Sequence, residues 1–191
     1  MNYDLIAVGA SWGGLAAVGT LLEGLRPEVD APLVIVQHRG PHAQRGLLEV
    51  LLQEHVARRV SEPGDKEPIE RSSVYVAPAD YHLLVEDGHF ALSLEERVHY
   101  ARPSIDVLFE SVAEAYAERA IGVVLTGANA DGARGLAAIK DRGGVALVQD
   151  PLSAARGAMP EAAIAATAVD AVLALDEIAP FLLGLCSPVR R

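Results

Sequence analysis

Residues 3–14, YDLIAVGASWGG, contain the signal that decides the fold. The apolar run at residues 3–8 predicts a buried strand, and residues 15–22 continue as a helical stretch. Between them, Ser11 stands among glycines at a strand-to-helix turn. Such a turn exposes a hydroxyl at the carboxyl edge of a sheet and directs a helix N-terminus towards the group that reacts there.

Apolar runs alternate with helical stretches along the rest of the chain. Strands are predicted at residues 31–37, 74–77, 121–125, 145–148 and 171–173, and helices at residues 44–56, 104–119, 132–141, 160–166 and 176–185. Asp87-Gly88, between extended runs at residues 83–86 and 90–94, predicts a hairpin turn. The sequence therefore predicts an α/β fold: a doubly wound, mostly parallel sheet with flanking helices and an antiparallel hairpin at one end.

The bulk composition limits the classes of protein that this chain can represent. With 191 residues and 51% hydrophobic content, we expect one globular domain over residues 1–191. No apolar run approaches the ~18–20 residues of a membrane span, and no secretory signal opens the chain, so we expect a cytoplasmic protein without membrane insertion. The single cysteine, Cys186, excludes an internal disulfide and is interpreted as structural.

The charge balance argues against nucleic acid as a partner. The formal net charge is −10, and the sequence has no basic stripe of the kind that neutralises a phosphate backbone. The basic pairs at residues 58–59 and 190–191 are interpreted as a solvated helix face and a tail.

Polar residues follow several of the predicted strands. Ser11, His38, Asp131 and Asp150 each come shortly after a strand, and the carboxyl ends of parallel strands meet at one edge of a sheet. Serine becomes a good nucleophile only when an adjacent base takes its proton, and histidine suits that role near neutral pH. A carboxylate on the far imidazole nitrogen orients the ring and stabilises the imidazolium. Either aspartate could serve.

Two other functions of this turn are weighed against a catalytic one. The residues from Gly9 to Gly13 fit G-x-S-x-G literally, but the order Ser…His…Asp differs from that of α/β-hydrolases, and the strand comes too early in the chain. A nucleotide-binding turn is the second alternative. Its usual G-x-G-x-x-G spacing is missing, and the second strand ends in Gln37-His38 instead of a ribose-binding acid.

Six segments in order resemble the catalytic domain of the CheB family of chemotaxis receptor methylesterases. They are residues 6–14 (IAVGASWGG), 34–38 (VIVQH), 74–78 (VYVAP) with His82, 102–109 (RPSIDVLF), 124–127 (VLTG) with 131–135 (DGARG), and 149–150 (QD) with 157–160 (GAMP). The resemblance covers nearly the whole chain.

The resemblance implies a serine hydrolase that removes methyl groups from glutamate γ-methyl esters on the cytoplasmic helices of chemoreceptors. Members of the family also deamidate certain receptor glutamines. The implied triad is Ser11, His38 and Asp131, which favours Asp131 over Asp150. Trp12 and Gly13 would supply oxyanion N–H groups, with Ala128 and Asn129 beside them in the pocket. No metal or organic cofactor is implied.

The chain departs from the family pattern close to this inferred site. Trp12 stands where the family usually has threonine, and Ala128-Asn129 replaces Met-Gly in the acid loop. The family's N-terminal receiver domain is also missing, so we expect a free-standing enzyme that is constitutively active or controlled by a partner protein. These departures motivate an alternative: a non-catalytic receptor-docking or scaffold module with the same fold. His82 could line the pocket or have a structural role, and Arg102 could steer a receptor carboxylate or form a salt bridge within an extended segment.

Overall fold

The computed structural model describes residues 3–186. Within that range the strands are β1 (Leu5–Ala10), β2 (Leu33–Gln37), β3 (Val60–Ser61), β4 (Val74–Val76), β5 (His82–Glu86), β6 (His89–Ser93), β7 (Ala120–Val124), β8 (Val145–Gln149) and β9 (Ala171–Leu173). The α-helices are α1 (Gly14–Gly24), α2 (Leu47–Gln53), α3 (Ile105–Tyr116), α4 (Ala133–Asp141), α5 (Ala158–Ala166) and α6 (Leu175–Cys186).

Seven of the strands form one parallel sheet in the order β3-β4-β2-β1-β7-β8-β9. The chain enters at β1, builds outward through β2, and later returns to the other side of β1 with β7. The strand order therefore reverses beside β1. In open α/β sheets, the crevice at the carboxyl ends of strands next to such a reversal is where ligands bind.

Helices cover both faces of the sheet, which confirms the predicted doubly wound α/β class. Side chains alternate along β1: Ile6 and Val8 belong to one hydrophobic core, and Leu5 and Ala7 to the other. All six residues of β1 are buried, as a central parallel strand requires. The described residues contain no helix long and apolar enough to cross a membrane.

The predicted hairpin forms a separate two-stranded antiparallel sheet. Its turn is Asp87-Gly88, where Gly88 adopts a left-handed φ of 75°. Phe90 packs edge-on against Tyr75 of the main sheet with ring centroids 4.6 Å apart, and both belong to the core that contains α3. The hairpin thus covers one face of the sheet near the start of α3.

Several element boundaries differ from the predicted ones for local reasons. Helix α2 begins only at Leu47, because Gly46 before it adopts a left-handed φ of 78°, and it ends at Gln53. Helix α5 begins at Ala158, so Pro160 lies in the first turn, where its missing N–H costs no helical hydrogen bond. The two-residue strand β3 lies between the predicted helix at residues 44–56 and the predicted strand at residues 74–77, where no element is predicted. Cys186 ends α6, and burial raises the pKa of its thiol.

Candidate active site

The turn that carries Ser11 is fixed by hydrogen bonds on both sides of this residue. The Ser11 N–H donates to the Thr126 carbonyl (2.9 Å), and the Ser11 carbonyl accepts from the Gly14 N–H (2.9 Å) and from Gln37 Nε2 (2.9 Å). Gly13 adopts a left-handed φ of 76°, which lets the chain turn directly from β1 into α1. The Ser11 hydroxyl therefore stands at the carboxyl edge of the sheet, over the start of α1.

His38 comes from the end of the neighbouring strand β2 and lies against this hydroxyl. Its backbone N–H donates to the Ala10 carbonyl (2.9 Å), which continues the sheet pairing by one residue. Imidazole Nδ1 is 3.1 Å from Ser11 Oγ, and Nε2 is 2.7 Å from Asp131 Oδ2. The structure thus brings Ser11, His38 and Asp131 into one hydrogen-bonded chain. With Nε2 protonated against the carboxylate, Nδ1 is free to accept the serine proton.

Asp131 is fully buried and accepts from four donors. Its Oδ1 accepts from Ser104 Oγ (2.8 Å) and the Asp106 N–H (2.9 Å), and its Oδ2 accepts from the Ile105 N–H (2.8 Å) as well as from His38. Three of these donors belong to the start of α3, where the helix dipole also favours negative charge. Burial alone would raise the pKa of Asp131, but the hydrogen bonds from His38 and from the backbone N–H groups of Asp106 and Ile105 outweigh it and lower that pKa.

A second fully buried carboxylate, Asp106, lies beside Asp131. Its Oδ1 accepts from the N–H groups of Gly132 (2.9 Å) and Gly135 (2.8 Å), so it ties the start of α4 to the start of α3. Within the described part of the chain, Oδ2 has no hydrogen-bond partner, and the nearest basic side chains are those of His99 (Nε2 at 3.4 Å) and Arg134 (Nε at 3.9 Å). Burial raises the pKa of Asp106.

Sequence analysis gave Asp106 and Ser104 no role in the site, although both fall in the RPSIDVLF segment. The available signal was local: Ser104 precedes an amphipathic helix, and such a serine caps the helix N-terminus. It does so here, accepting weakly from the Val107 N–H (3.4 Å). The unexpected feature is that the same hydroxyl donates to Asp131.

His82, Arg102 and Asp150 have structural partners. His82 is buried, with Nδ1 accepting from the Ser104 N–H (3.3 Å) and Nε2 donating to the Glu96 carbonyl (3.0 Å), so it supports the start of α3. The Arg102 guanidinium bonds Asp80 and two backbone carbonyls of an extended segment. Asp150 Oδ1 accepts from the Leu152 N–H (3.0 Å), as a turn-opening aspartate does.

The residues predicted to form the oxyanion hole or pocket lie on two adjoining loops. Thr126 Oγ1 donates to the Trp12 carbonyl (2.9 Å) and thereby joins the nucleophile loop to the loop that carries Ala128 and Asn129. Among the described residues, the N–H groups of Trp12, Gly13, Ala128 and Asn129 have no hydrogen-bond acceptor. The edge is open: Trp12 is 64% exposed, and Gly13 and Ala128 are also exposed.

One group of possible metal ligands lies near this edge, formed by His99, Asp106 and Asp131. Both oxygens of Asp131 already accept two hydrogen bonds each, from donors that a bound cation would have to displace. The donor set therefore suits a carboxylate that orients His38 rather than one that ligates a metal.

Comparison with known proteins agrees with this geometry. The sequence model of the family "CheB methylesterase" matches residues 6–182. A relative from Leptospira interrogans is 48% identical over 97% of this chain and 96% of its own length. That relative carries the provisional name protein-glutamate methylesterase/protein-glutamine glutaminase. The protein-glutamate methylesterase/protein-glutamine glutaminase 2 of Anaeromyxobacter dehalogenans is 41% identical over 92% of this chain and 51% of its own length.

The fold has a counterpart among solved structures. The crystal structure of the Thermotoga maritima CheB methylesterase catalytic domain superimposes with a TM-score of 0.90 at 29% identity, covering 97% of this chain and all of that one (100%). Sequence family and three-dimensional fold point to the same group of proteins. This chain belongs to the CheB methylesterase family.

Proposed function

We propose that this protein is a protein-glutamate methylesterase and protein-glutamine glutaminase in which Ser11, His38 and Asp131 perform the hydrolysis. The observation that carries the proposal is the hydrogen-bonded chain from Ser11 Oγ through the imidazole to a buried carboxylate, with links of 3.1 and 2.7 Å. The family acts on chemoreceptors. The substrates we propose are the methylated cytoplasmic helices of these receptors.

The geometry supports a two-step acyl transfer. Ser11 Oγ bonds to the γ-carbonyl carbon of the glutamyl ester while His38 Nδ1 takes the serine proton. Collapse of the tetrahedral intermediate breaks the bond to methoxide, which leaves as methanol with that proton. Water then attacks the acyl-enzyme, His38 takes its proton, and the proton returns to Ser11 as the glutamate is released. With a glutamine substrate the leaving group is ammonia.

Asp131 keeps the imidazole in the tautomer that this sequence of steps requires. Its charge, held by four donors, stabilises the imidazolium that forms at His38 in each step. The lowered pKa of Asp131 means that the carboxylate stays ionised throughout the neutral range.

The oxyanion of the tetrahedral intermediate needs N–H donors that are not already engaged. The Ser11 N–H donates to the Thr126 carbonyl, so the N–H groups of Trp12 and Gly13 are the proposed donors. They lie where α1 begins, and the helix dipole there favours negative charge. Removing one such donor costs on the order of 3 kcal/mol of transition-state stabilisation. Ala128 and Asn129 would border the leaving group from the opposite loop.

The openness of the site fits a macromolecular substrate. An exposed edge admits the side of a receptor helix, whereas a small ester would be enclosed by a deep pocket. The same exposure lets a regulatory partner protein cover Ser11, which we include in the proposal. We place the protein in the cytoplasm, where receptor signalling helices are found. A scaffold role is not favoured, because the intact hydrogen-bonded chain has no purpose in a docking module.

Methanol release from a methylated chemoreceptor fragment tests the proposal. We expect turnover in the unmodified protein, loss of it in Ser11→Ala, and full turnover in the matched control Ser93→Ala, whose hydroxyl lies on the hairpin. Ammonia release from a glutamine-bearing fragment should respond in the same way. Turnover that persists in Ser11→Ala would overturn the proposal. Receptor binding without turnover in the unmodified protein would favour the scaffold alternative.

A further inference from the structure

An aromatic and a cationic side chain stand together beside the nucleophile. Trp12 directly follows Ser11, is 64% exposed, and carries the guanidinium of Arg156 over its ring, 5.8 Å from the centroid. Within residues 3–186, no carboxylate lies within ion-pair distance of Arg156. In a chain of net charge −10, this cation is paired with no carboxylate of the described residues at the edge where the substrate is proposed to bind.

The pair is held in place through its backbone rather than through its side chains. Thr126 Oγ1 donates to the Trp12 carbonyl (2.9 Å) and accepts from the Arg156 N–H (2.9 Å). The Gly127 N–H donates to the Arg156 carbonyl (3.0 Å). A Cβ added at Gly13 would lie only 2.6 Å from the Ala155 Cβ, so the two loops are in close contact next to Ser11.

The stability of the fold does not account for this arrangement. A tryptophan contributes to folding mainly by burying its large ring, and most of this ring is in solvent. A cation–π contact at an exposed site is worth only about 0.5–1 kcal/mol. Leu152, on the same loop as Arg156, is 95% exposed. Trp12 and Leu152 therefore leave apolar surface exposed on the two loops that carry the pair.

We propose that the Trp12–Arg156 pair, defined by these two side chains, selects the substrate by its acidity. Arg156 binds a carboxylate that lies next to the reacting ester on the receptor helix. The Trp12 ring packs against the helix surface between this carboxylate and the ester. A guanidinium binds a carboxylate through charge-assisted hydrogen bonds, and the loops that carry the two side chains meet next to Ser11. The inference rests on the proposed methylesterase function and names a specificity determinant for it.

The test compares two substrates of the 191-residue chain. One is a methylated receptor fragment, and the other is the γ-methyl ester of an N-acetylated, C-amidated glutamate, which has no neighbouring carboxylate. In Arg156→Gln, we expect kcat/KM on the receptor fragment to fall about ten- to a hundredfold further than on the small ester, chiefly through KM. Raising the salt concentration should reduce that difference, because it screens an exposed ion pair.

Arg26→Gln is the matched control. Arg26 lies just beyond the far end of α1, about 16 Å from the turn by the length of an eleven-residue helix. Arg26→Gln should retain its activity on both esters. If Arg26→Gln lost activity on the receptor fragment alone, the effect of Arg156→Gln would be a general effect of charge, and the inference would be overturned.

The substrate offers the complementary change. In a second fragment, the glutamates that flank the ester are replaced by glutamine. The kcat/KM of the unmodified protein on this fragment should fall by the same factor as the kcat/KM of Arg156→Gln on the original fragment. Combining the two changes should lower kcat/KM little further. The inference would be overturned, and the proposed function left standing, if Arg156→Gln lowered kcat/KM equally on the two esters. The same would follow if the effects of Arg156→Gln and of the altered fragment were additive. Failure of the unmodified protein to hydrolyse either ester would overturn the proposed function and the inference with it.

Discussion

Two adjacent and fully buried carboxylates, Asp106 at the start of α3 and Asp131 in the loop before α4, have pKa values that are shifted in opposite directions. The pKa of Asp131 is lowered and that of Asp106 is raised, although neither side chain is exposed to solvent. Burial acts on both in the same direction, so it cannot account for the difference. The difference follows from how many donors each carboxylate meets, and the negative charge of Asp131 raises the pKa of Asp106 further.

The donors are distributed unequally between the two groups. Asp131 receives two on each oxygen, including the imidazole of His38. Asp106 receives two backbone N–H groups on Oδ1 and, among the described residues, none on Oδ2. The pair therefore divides its tasks: we expect Asp131 to act through its charge and Asp106 through its shape, as the acceptor that holds α4 against α3. Carboxylates whose pKa values are driven apart in this way are a recurring feature of active sites.

The largest effect should come from Asp131→Asn. An amide cannot accept from four donors, and it removes the charge that stabilises the imidazolium of His38. We expect kcat for methanol release to fall about 10³- to 10⁴-fold, with far-ultraviolet circular dichroism showing the fold retained.

Asp150→Asn is the matched control for this change, because Asp150 is the other aspartate that follows a strand on this edge. Asparagine can replace it as acceptor for the Leu152 N–H, so we expect near-normal turnover. A large loss in Asp150→Asn and a small loss in Asp131→Asn would reverse the assignment of the acid.

A smaller effect is expected for Ser104→Ala, which removes one of the four donors to Asp131 and the cap of the Val107 N–H. Loss of a hydrogen bond to the ionised form raises the pKa of Asp131 towards its ordinary value. We expect kcat to fall about tenfold, the acid limb of the pH–rate profile to move to higher pH, and the free energy of unfolding to fall by about 1 kcal/mol.

Ser111→Ala separates these consequences. The Ser111 hydroxyl is also on α3, where it bonds the Leu108 carbonyl and the Val85 N–H far from Asp131. It should lower stability without moving the pH–rate profile. A shifted profile in Ser111→Ala, or an unshifted one in Ser104→Ala, would contradict the role given to Ser104.

Local patterns predicted the sheet and part of the candidate site. Apolar periodicity gave the strands, and the rule that parallel strands end at one edge grouped Ser11 and His38 with two aspartates, Asp131 and Asp150. Only the family resemblance favoured Asp131. Ser104 and Asp106 escaped this reasoning because they start a helix rather than follow a strand. Their contacts with the loop around Asp131 span 25–29 residues and arise only when α3 packs against α4.

The exposure of Trp12 could not be predicted for a similar reason. Its position beside the nucleophile was clear from the sequence, but whether the ring packs inward depends on the loop around Arg156, more than a hundred residues later. The two-residue strand β3 was missed because it has too few residues for a periodic pattern and owes its existence to pairing with β4.

The smallest effect should come from Asp106→Asn, the same chemical change as Asp131→Asn at the neighbouring carboxylate. The amide oxygen can still accept from the Gly132 and Gly135 N–H groups, so we expect kcat within about threefold of the unmodified protein. Because the folded-state pKa of Asp106 is raised, its stabilising contribution is full below the unfolded pKa and is lost as pH rises through the folded pKa. Asparagine has no such loss, so urea unfolding should show the variant gaining stability relative to the unmodified protein as the pH rises from 4 to 7.

Asp106→Ala removes the acceptor oxygen as well as the charge, whereas Asp106→Asn removes only the charge. Comparing the two variants therefore measures what the acceptor oxygen contributes. It leaves the Gly132 and Gly135 N–H groups buried without an acceptor, at about 1–3 kcal/mol for each group, so it should be much less stable than Asp106→Asn at every pH. The opposite ranking would mean that Asp106 is not the acceptor that holds α4. If Asp106→Asn instead lost activity as severely as Asp131→Asn, both carboxylates would act through charge, and the division of tasks between them would be wrong.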